Sequence, residues 1–213
     1  MAFRLVDRKN WARESLFRQF LTETPCTWSM TVSVDVSPIL EAGERLYPSL
    51  IYLLSAGVNA HEEFRYALDD DGQPGIHDAL LPSYTLFDEQ TETFSCLYGD
   101  CSGGYRAFLA TYEENRRLHA QGCRQLLSDM PKNIFSISMI PWESFTGFNL
   151  NLGKGFTWLA PIFTLGKYTL QNGRYVLPLA IQVHHAVCDG FHVCRLLNEL
   201  RAAIAAWPET ARM

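Results

Sequence analysis

Arg174 to Val193 reads RYVLPLAIQVHHAVCDGFHV. RYVLPLAIQVHHAV, Arg174 to Val187, predicts a strand. Asp189-Gly190 then opens a helix, in which Val193, Leu196, Leu197, Leu200 and Ile204 recur at helical spacing. A strand that feeds straight into a helix suggests a mixed α/β layer, and two adjacent histidines sit at the joint. Side chains alternate along a strand. His185 therefore shares a face with Val183, Ile181 and Leu179, whereas His184 shares one with Gln182 and Ala180. The imidazoles point apart, so one suits a site and the other a structural role. Asp189 either caps the helix or braces the turn through an ion pair. A neutral imidazole is the best general base at pH 7. A metal held by His184, His185, Asp189 and His192 is a weak alternative, because adjacent strand residues diverge and no second ligand pair appears.

Working outward, Gln171-Asn172-Gly173 predicts a hairpin turn back to APIFTLGKYTL, with NIFSISMI and FNLNL as further strands. YRAFLATYEENRRLHAQG predicts a helix with Tyr105, Phe108, Leu109 and Tyr112 on one face and Gly122 as its stop. Nearer the start, Asp7 is expected to cap a helix over about Lys9–Leu21, and Thr27–Val36 alternates as a strand. Ser37-Pro38 opens a helix that Pro48 restarts and that runs to about Phe64. FRYALDD and GQPGIHDALLPSYTLF predict short strands around an Asp71-Gly72 turn. The loop Leu97–Gly104 is too polar and glycine-rich to assign. The class is α+β or mixed α/β. With no linker, repeat or low-complexity stretch, residues 1–213 read as one domain.

At 213 residues and 47% hydrophobic, the chain can bury a sizeable core. A net charge of -5 gives no electrostatic claim on nucleic acid or anionic membrane. No apolar run is long enough to span a bilayer, and MAFRLVDRKNW lacks the apolar region of a secretory signal. The expected location is the cytoplasm. Cys26, Cys96, Cys101, Cys123, Cys188 and Cys194 form no C-x-x-C pair, so buried reduced thiols are expected.

QVHHAVCDGFHV resembles the active-site segment of the chloramphenicol acetyltransferases. So do RKNWARESLF, TPCTWSMT, YPSLIYLLSAGVN, DEQTETFS, IPWESFTGFNLN and APIFTLGKY, in the family's order across nearly the whole chain. The H-H-x-x-x-D-G pattern alone also marks dihydrolipoyl acyltransferase cores. The resemblance implies a two-layer sandwich, a mixed sheet flanked by helices. It also implies a cytoplasmic homotrimer with active sites between subunits. Acetyl-CoA is the cosubstrate and chloramphenicol the acceptor, with no tightly bound cofactor and no metal.

The resemblance further implies that His185 is the base, with Asp189 paired to Arg13 and Thr164 near the oxyanion. Phe20, Thr24, Cys26, Trp28, Phe94, Phe148, Leu150 and Ile162 match antibiotic-pocket positions. Lys167, Tyr168 and Trp158 match positions near CoA. Where well-studied members carry an oxyanion-binding serine, this chain has Gly147. Thr146 takes its place, a water held by Thr164 does, or the enzyme is simply slower; the water is favoured because glycine leaves room for it. An acetyltransferase for another small hydroxyl compound and a non-catalytic drug-sequestering trimer are the competing readings.

Overall fold

The computed structural model describes residues 2–123, 125–153 and 156–207. Strand β1 (Phe3–Leu5) is followed by a turn and a short helix α1 (Glu14–Arg18). A π-helical turn, Gln19–Glu23, continues α1. Next come β2 (Thr27–Asp35), α2 (Ser37–Glu41) and α3 (Leu46–Ala60). A 3₁₀ turn (Glu62–Phe64) leads to β3 (Tyr66–Leu68), β4 (Pro74–His77), β5 (Leu81–Asp88) and β6 (Thr93–Tyr98). After α4 (Tyr105–Ala120) come β7 (Ile134–Met139), β8 (Ile162–Leu165), β9 (Thr169–Gln171), β10 (Arg174–His184) and α5 (Gly190–Ala205).

The main sheet runs β2-β10-β8-β7-β5-β6, with β9 also on β10. The β5–β7 and β7–β8 pairs are parallel and the others antiparallel. A second sheet, β1-β4-β3, lies apart from it. The two faces of the main sheet differ in kind. One carries Val34, Leu179, Ile181, Val183, Phe163, Leu165, Ile137 and Tyr84, all buried in one core with α3 and α5. The other carries Thr31, Gln182, His184, Thr164, Ser138 and Ser83. This is the two-layer mixed sandwich expected, with its polar face turned away from the helices.

Several elements differ from expectation. Asp7 accepts from the Lys9 amide at 3.2 Å and the Asn10 side chain at 2.7 Å, closing a turn of its own, so the helix starts only at Glu14. The helix opened by Ser37-Pro38 stops at Glu41, and α3 stops at Ala60. FNLNL is not a strand. Its amides at Phe148 and Leu150 bond the Thr31 hydroxyl (3.1 Å) and the Gln182 carbonyl oxygen (2.8 Å), and side chains replace a strand partner. The expected strand through GKY breaks between β8 and β9. There Gly166 packs so closely that a Cβ would lie 2.5 Å from Pro178 Cγ. The hairpin turns at Asn172 (φ 50°) and Gly173 (φ 78°), the left-handed pair that a two-residue turn requires. All six cysteines are unpaired, but only Cys188 is buried, contrary to the expectation of buried thiols.

Candidate active site

β10 ends at His184, and His185 begins the turn into α5. The His185 amide bonds the Cys26 carbonyl at 2.9 Å, which ties the turn to the start of β2. The His185 Nδ1 lies 3.3 Å from the Cys188 carbonyl oxygen and 3.2 Å from Asp189 Oδ1. Both are acceptors, so Nδ1 is the nitrogen that donates there, and the neutral tautomer that fits has its lone pair on Nε2. Phe20 stacks on the ring at 4.1 Å between centroids, with planes 28° apart, and fixes its orientation.

Arg13 holds this turn with all three of its guanidinium nitrogens. It bonds the two Asp189 oxygens at 2.7 Å each, the Ala186 carbonyl at 2.7 Å and the His185 carbonyl at 2.9 Å. The hydrogen bond from Arg13 holds the Asp189 carboxyl below the usual carboxylate range, against the opposing effect of partial burial. Of the two roles open to Asp189, the ion pair is therefore present, and Asp189 also stands at the N-cap of α5. Trp28 completes the cage by donating to the Cys188 carbonyl at 3.1 Å.

His184 has a different environment. It is buried and its Nδ1 accepts the Ala186 amide at 3.2 Å. Burial pushes its pKa down, aided by the neighbouring His185. Among the described residues, no group of three or more His, Cys, Asp and Glu side chains is placed to hold a metal ion.

The remaining positions are spread over several places. Phe20, Cys26 and Trp28 surround the His185 turn, and Thr24 is exposed beyond the π-helical turn. Thr164, Ile162, Phe148, Leu150 and Phe94 belong to the polar face of the sheet or the segment over it. Thr164 is buried, with its hydroxyl 3.3 Å from that of Ser138, a neighbour the sequence reading missed. Alternation along NIFSISMI was the signal that could have found it. Thr146 and Gly147 are exposed in the irregular stretch between β7 and β8, and a Cβ on Gly147 would meet nothing within 4 Å. Lys167 and Tyr168 are exposed at the break between β8 and β9. Trp158 lies elsewhere, lining a cavity of about 700 Å³ with Tyr66, Leu68, Lys132 and Phe156.

An arginine-clamped His-Asp turn at the end of a strand, facing an apolar ring, is the geometry of a poised base. The family model for chloramphenicol acetyltransferase matches residues 1–201. The chain belongs to the chloramphenicol acetyltransferase family. It is 49% identical to a chloramphenicol acetyltransferase of Clostridium perfringens over 205 residues, which span 96% of this chain and 99% of the relative. It is 50% identical to one from Campylobacter coli over 204 residues, covering 94% and 98%. A solved chloramphenicol acetyltransferase superposes with a TM-score of 0.80 at 21% identity, covering 95% of this chain and all of the other. A dihydrolipoamide acetyltransferase of Azotobacter vinelandii gives 0.67 at 16% identity, covering 92% and 87%. At those identities the structures establish the shared fold. As a member of the acetyltransferase family the chain is an acyltransferase, and no helix among its described residues is long and apolar enough to cross a membrane.

Proposed function

We propose that the chain transfers the acetyl group of acetyl-CoA to the primary hydroxyl of chloramphenicol, as a homotrimer in the cytoplasm, and so confers resistance to the drug. The observation that carries the reading is His185, with Nδ1 turned to Cys188 and Asp189, which leaves Nε2 as the nitrogen for proton transfer. Nε2 takes the hydroxyl proton as the drug oxygen attacks the thioester carbon. A tetrahedral oxyanion forms. Its collapse breaks the C–S bond, and the imidazolium returns the proton to the departing CoA sulfur. The acceptor oxygen is itself the nucleophile, so no acetyl-enzyme is needed.

The register supports assembly from two chains. Thr164 stands opposite Ala180, five residues before His185. At the usual strand rise that is about 17 Å, too far for both to serve one reacting carbon. A second chain that brings its polar sheet face against the His185 turn closes the gap. The apolar residues exposed on that face support this: Phe94 (59% exposed), Phe87 (42%) and Leu150 (38%). Phe20, Cys26 and Trp28 then line the antibiotic site from the base's side, and Phe94, Phe148, Leu150 and Ile162 from the other. Lys167 answers a CoA phosphate and Tyr168 stacks on the adenine, while Trp158 flanks the pantetheine arm. With glycine at 147, a water held by Thr164 supplies the oxyanion donor.

Thiol release from acetyl-CoA, measured with and without the drug, tests the reaction. Chloramphenicol-dependent release is expected. Release only with another alcohol overturns the acceptor, and drug binding without release leaves a sequestering protein. Light scattering tests the assembly, and a fully active monomer overturns it.

A further inference from the structure

Asp189 commits its carboxylate to Arg13 and the His185 ring. Its backbone is held separately, from inside the helix it heads. His192, the third residue of α5, turns Nδ1 back to accept the Asp189 amide at 2.9 Å. The His192 amide in turn bonds the Asp189 carbonyl at 3.0 Å. The ring thus fills the third-residue place of a capping box, with histidine where glutamate or glutamine is usual. Imidazole can fill that place only with Nδ1 bare, because a doubly protonated ring would set one N–H against another. The far nitrogen lies 3.6 Å from Glu63, on the 3₁₀ turn, whose other oxygen takes Arg195 at 3.0 Å. Burial favours the neutral ring most strongly. Arg13 and Arg195 favour it too, while Glu63 and Asp189 oppose.

We infer that His192 is a positioning residue for acetyl transfer: as a neutral imidazole it pins the Asp189 backbone, and through it the carboxylate that grips Arg13 and His185. The inference rests on His185 being the base. His192 touches no substrate position, so its loss is expected in kcat and not in KM.

The test compares His192→Leu and His192→Gln with the wild-type protein in kcat, in KM for acetyl-CoA and for chloramphenicol, and in melting temperature. His192→Leu is expected to lower kcat about tenfold with both KM values within about twofold, the size of a lost cap read through one step. His192→Gln restores the acceptor and is expected within about threefold of wild type. A lower melting point with unchanged kcat in His192→Leu makes the ring a structural cap only and overturns the inference. So does a folded His192→Gln that loses as much as His192→Leu. If His192→Leu does not fold, a folded His192→Gln decides alone: near-wild-type kcat supports the inference, and a tenfold loss overturns it. A wild-type chain without chloramphenicol-dependent thiol release brings down the functional reading; an active wild type with an equally active His192→Leu brings down only this one.

Discussion

The His185 turn and the Gly147 segment lie on one chain and are held in opposite ways. The turn is clamped by Arg13, braced by Trp28 and stacked under Phe20. The segment Trp142–Asn151 has no ladder, and two of its amides rest on the side chains of Thr31 and Gln182. A proton-transfer group must be aimed before substrate arrives, and charge-assisted bonds do that. The segment proposed to wall the acceptor pocket is looser, and at Gly147 a Cβ would meet nothing within 4 Å. Rigidity is concentrated at the turn proposed to carry the proton.

Four measurements bear on that contrast. His185→Ala should cost the most, on the order of 10³- to 10⁴-fold in kcat with the fold intact by circular dichroism. Full activity in that variant would break the contrast outright. Arg13→Val leaves a partly buried carboxylate and two carbonyls without their partner. Turnover should fall roughly 100-fold and the melting temperature by about 5–10 °C. Unchanged melting and turnover would mean that the clamp holds nothing.

Acid stability sharpens the same point with a smaller effect. The Asp189 pKa is lowered on folding, so its ionised form stabilises the protein above the unfolded value near pH 4, and that contribution is lost as pH falls through the folded value. At pH 7, Asp189→Asn should melt several degrees below wild type, and the gap should close below about pH 4. A gap that is constant with pH would contradict the ion pair. Gly147→Ser should change least. The position is open, its φ is not left-handed, and the new hydroxyl would stand in for the proposed water. We expect kcat between unchanged and about threefold higher, a small fraction of what one oxyanion donor can supply. A large fall in a folded protein would sink the water in favour of a tightly shaped wall.

The sequence was most legible where local and tertiary forces agree. Alternation in Thr27–Val36, the Asn172-Gly173 turn and the stripe from Val193 to Ile204 each match the structure within a residue or two, whereas the strand expected over Arg174–Val187 ends at His184, where the chain turns toward α5. β1 and β6 escaped. FRL is too short to carry a pattern, and TFSCLY mixes polar and apolar residues without strict alternation, its pairing with β5 set by the sheet. The Arg13–Asp189 pair, 176 positions apart, was reached through family resemblance. His192 stood in view as a poor metal ligand. The cue for its actual contact was the three-residue spacing from Asp189, a capping signature hidden by an unusual acceptor.

The π-helical turn at Gln19–Glu23 carries a consequence for how this gene can change. Phe20 reaches the imidazole from inside a coil that holds one more residue per hydrogen-bonded ring than its neighbours do. Each residue in an α-helix advances about 100° around the axis. A single-codon deletion or insertion there would swing the later side chains of that coil by about that angle, and either the ring or the Cys26 anchor would leave the site. Point substitutions in Gln19–Glu23 only alter shape; it is the count of residues that heredity must keep.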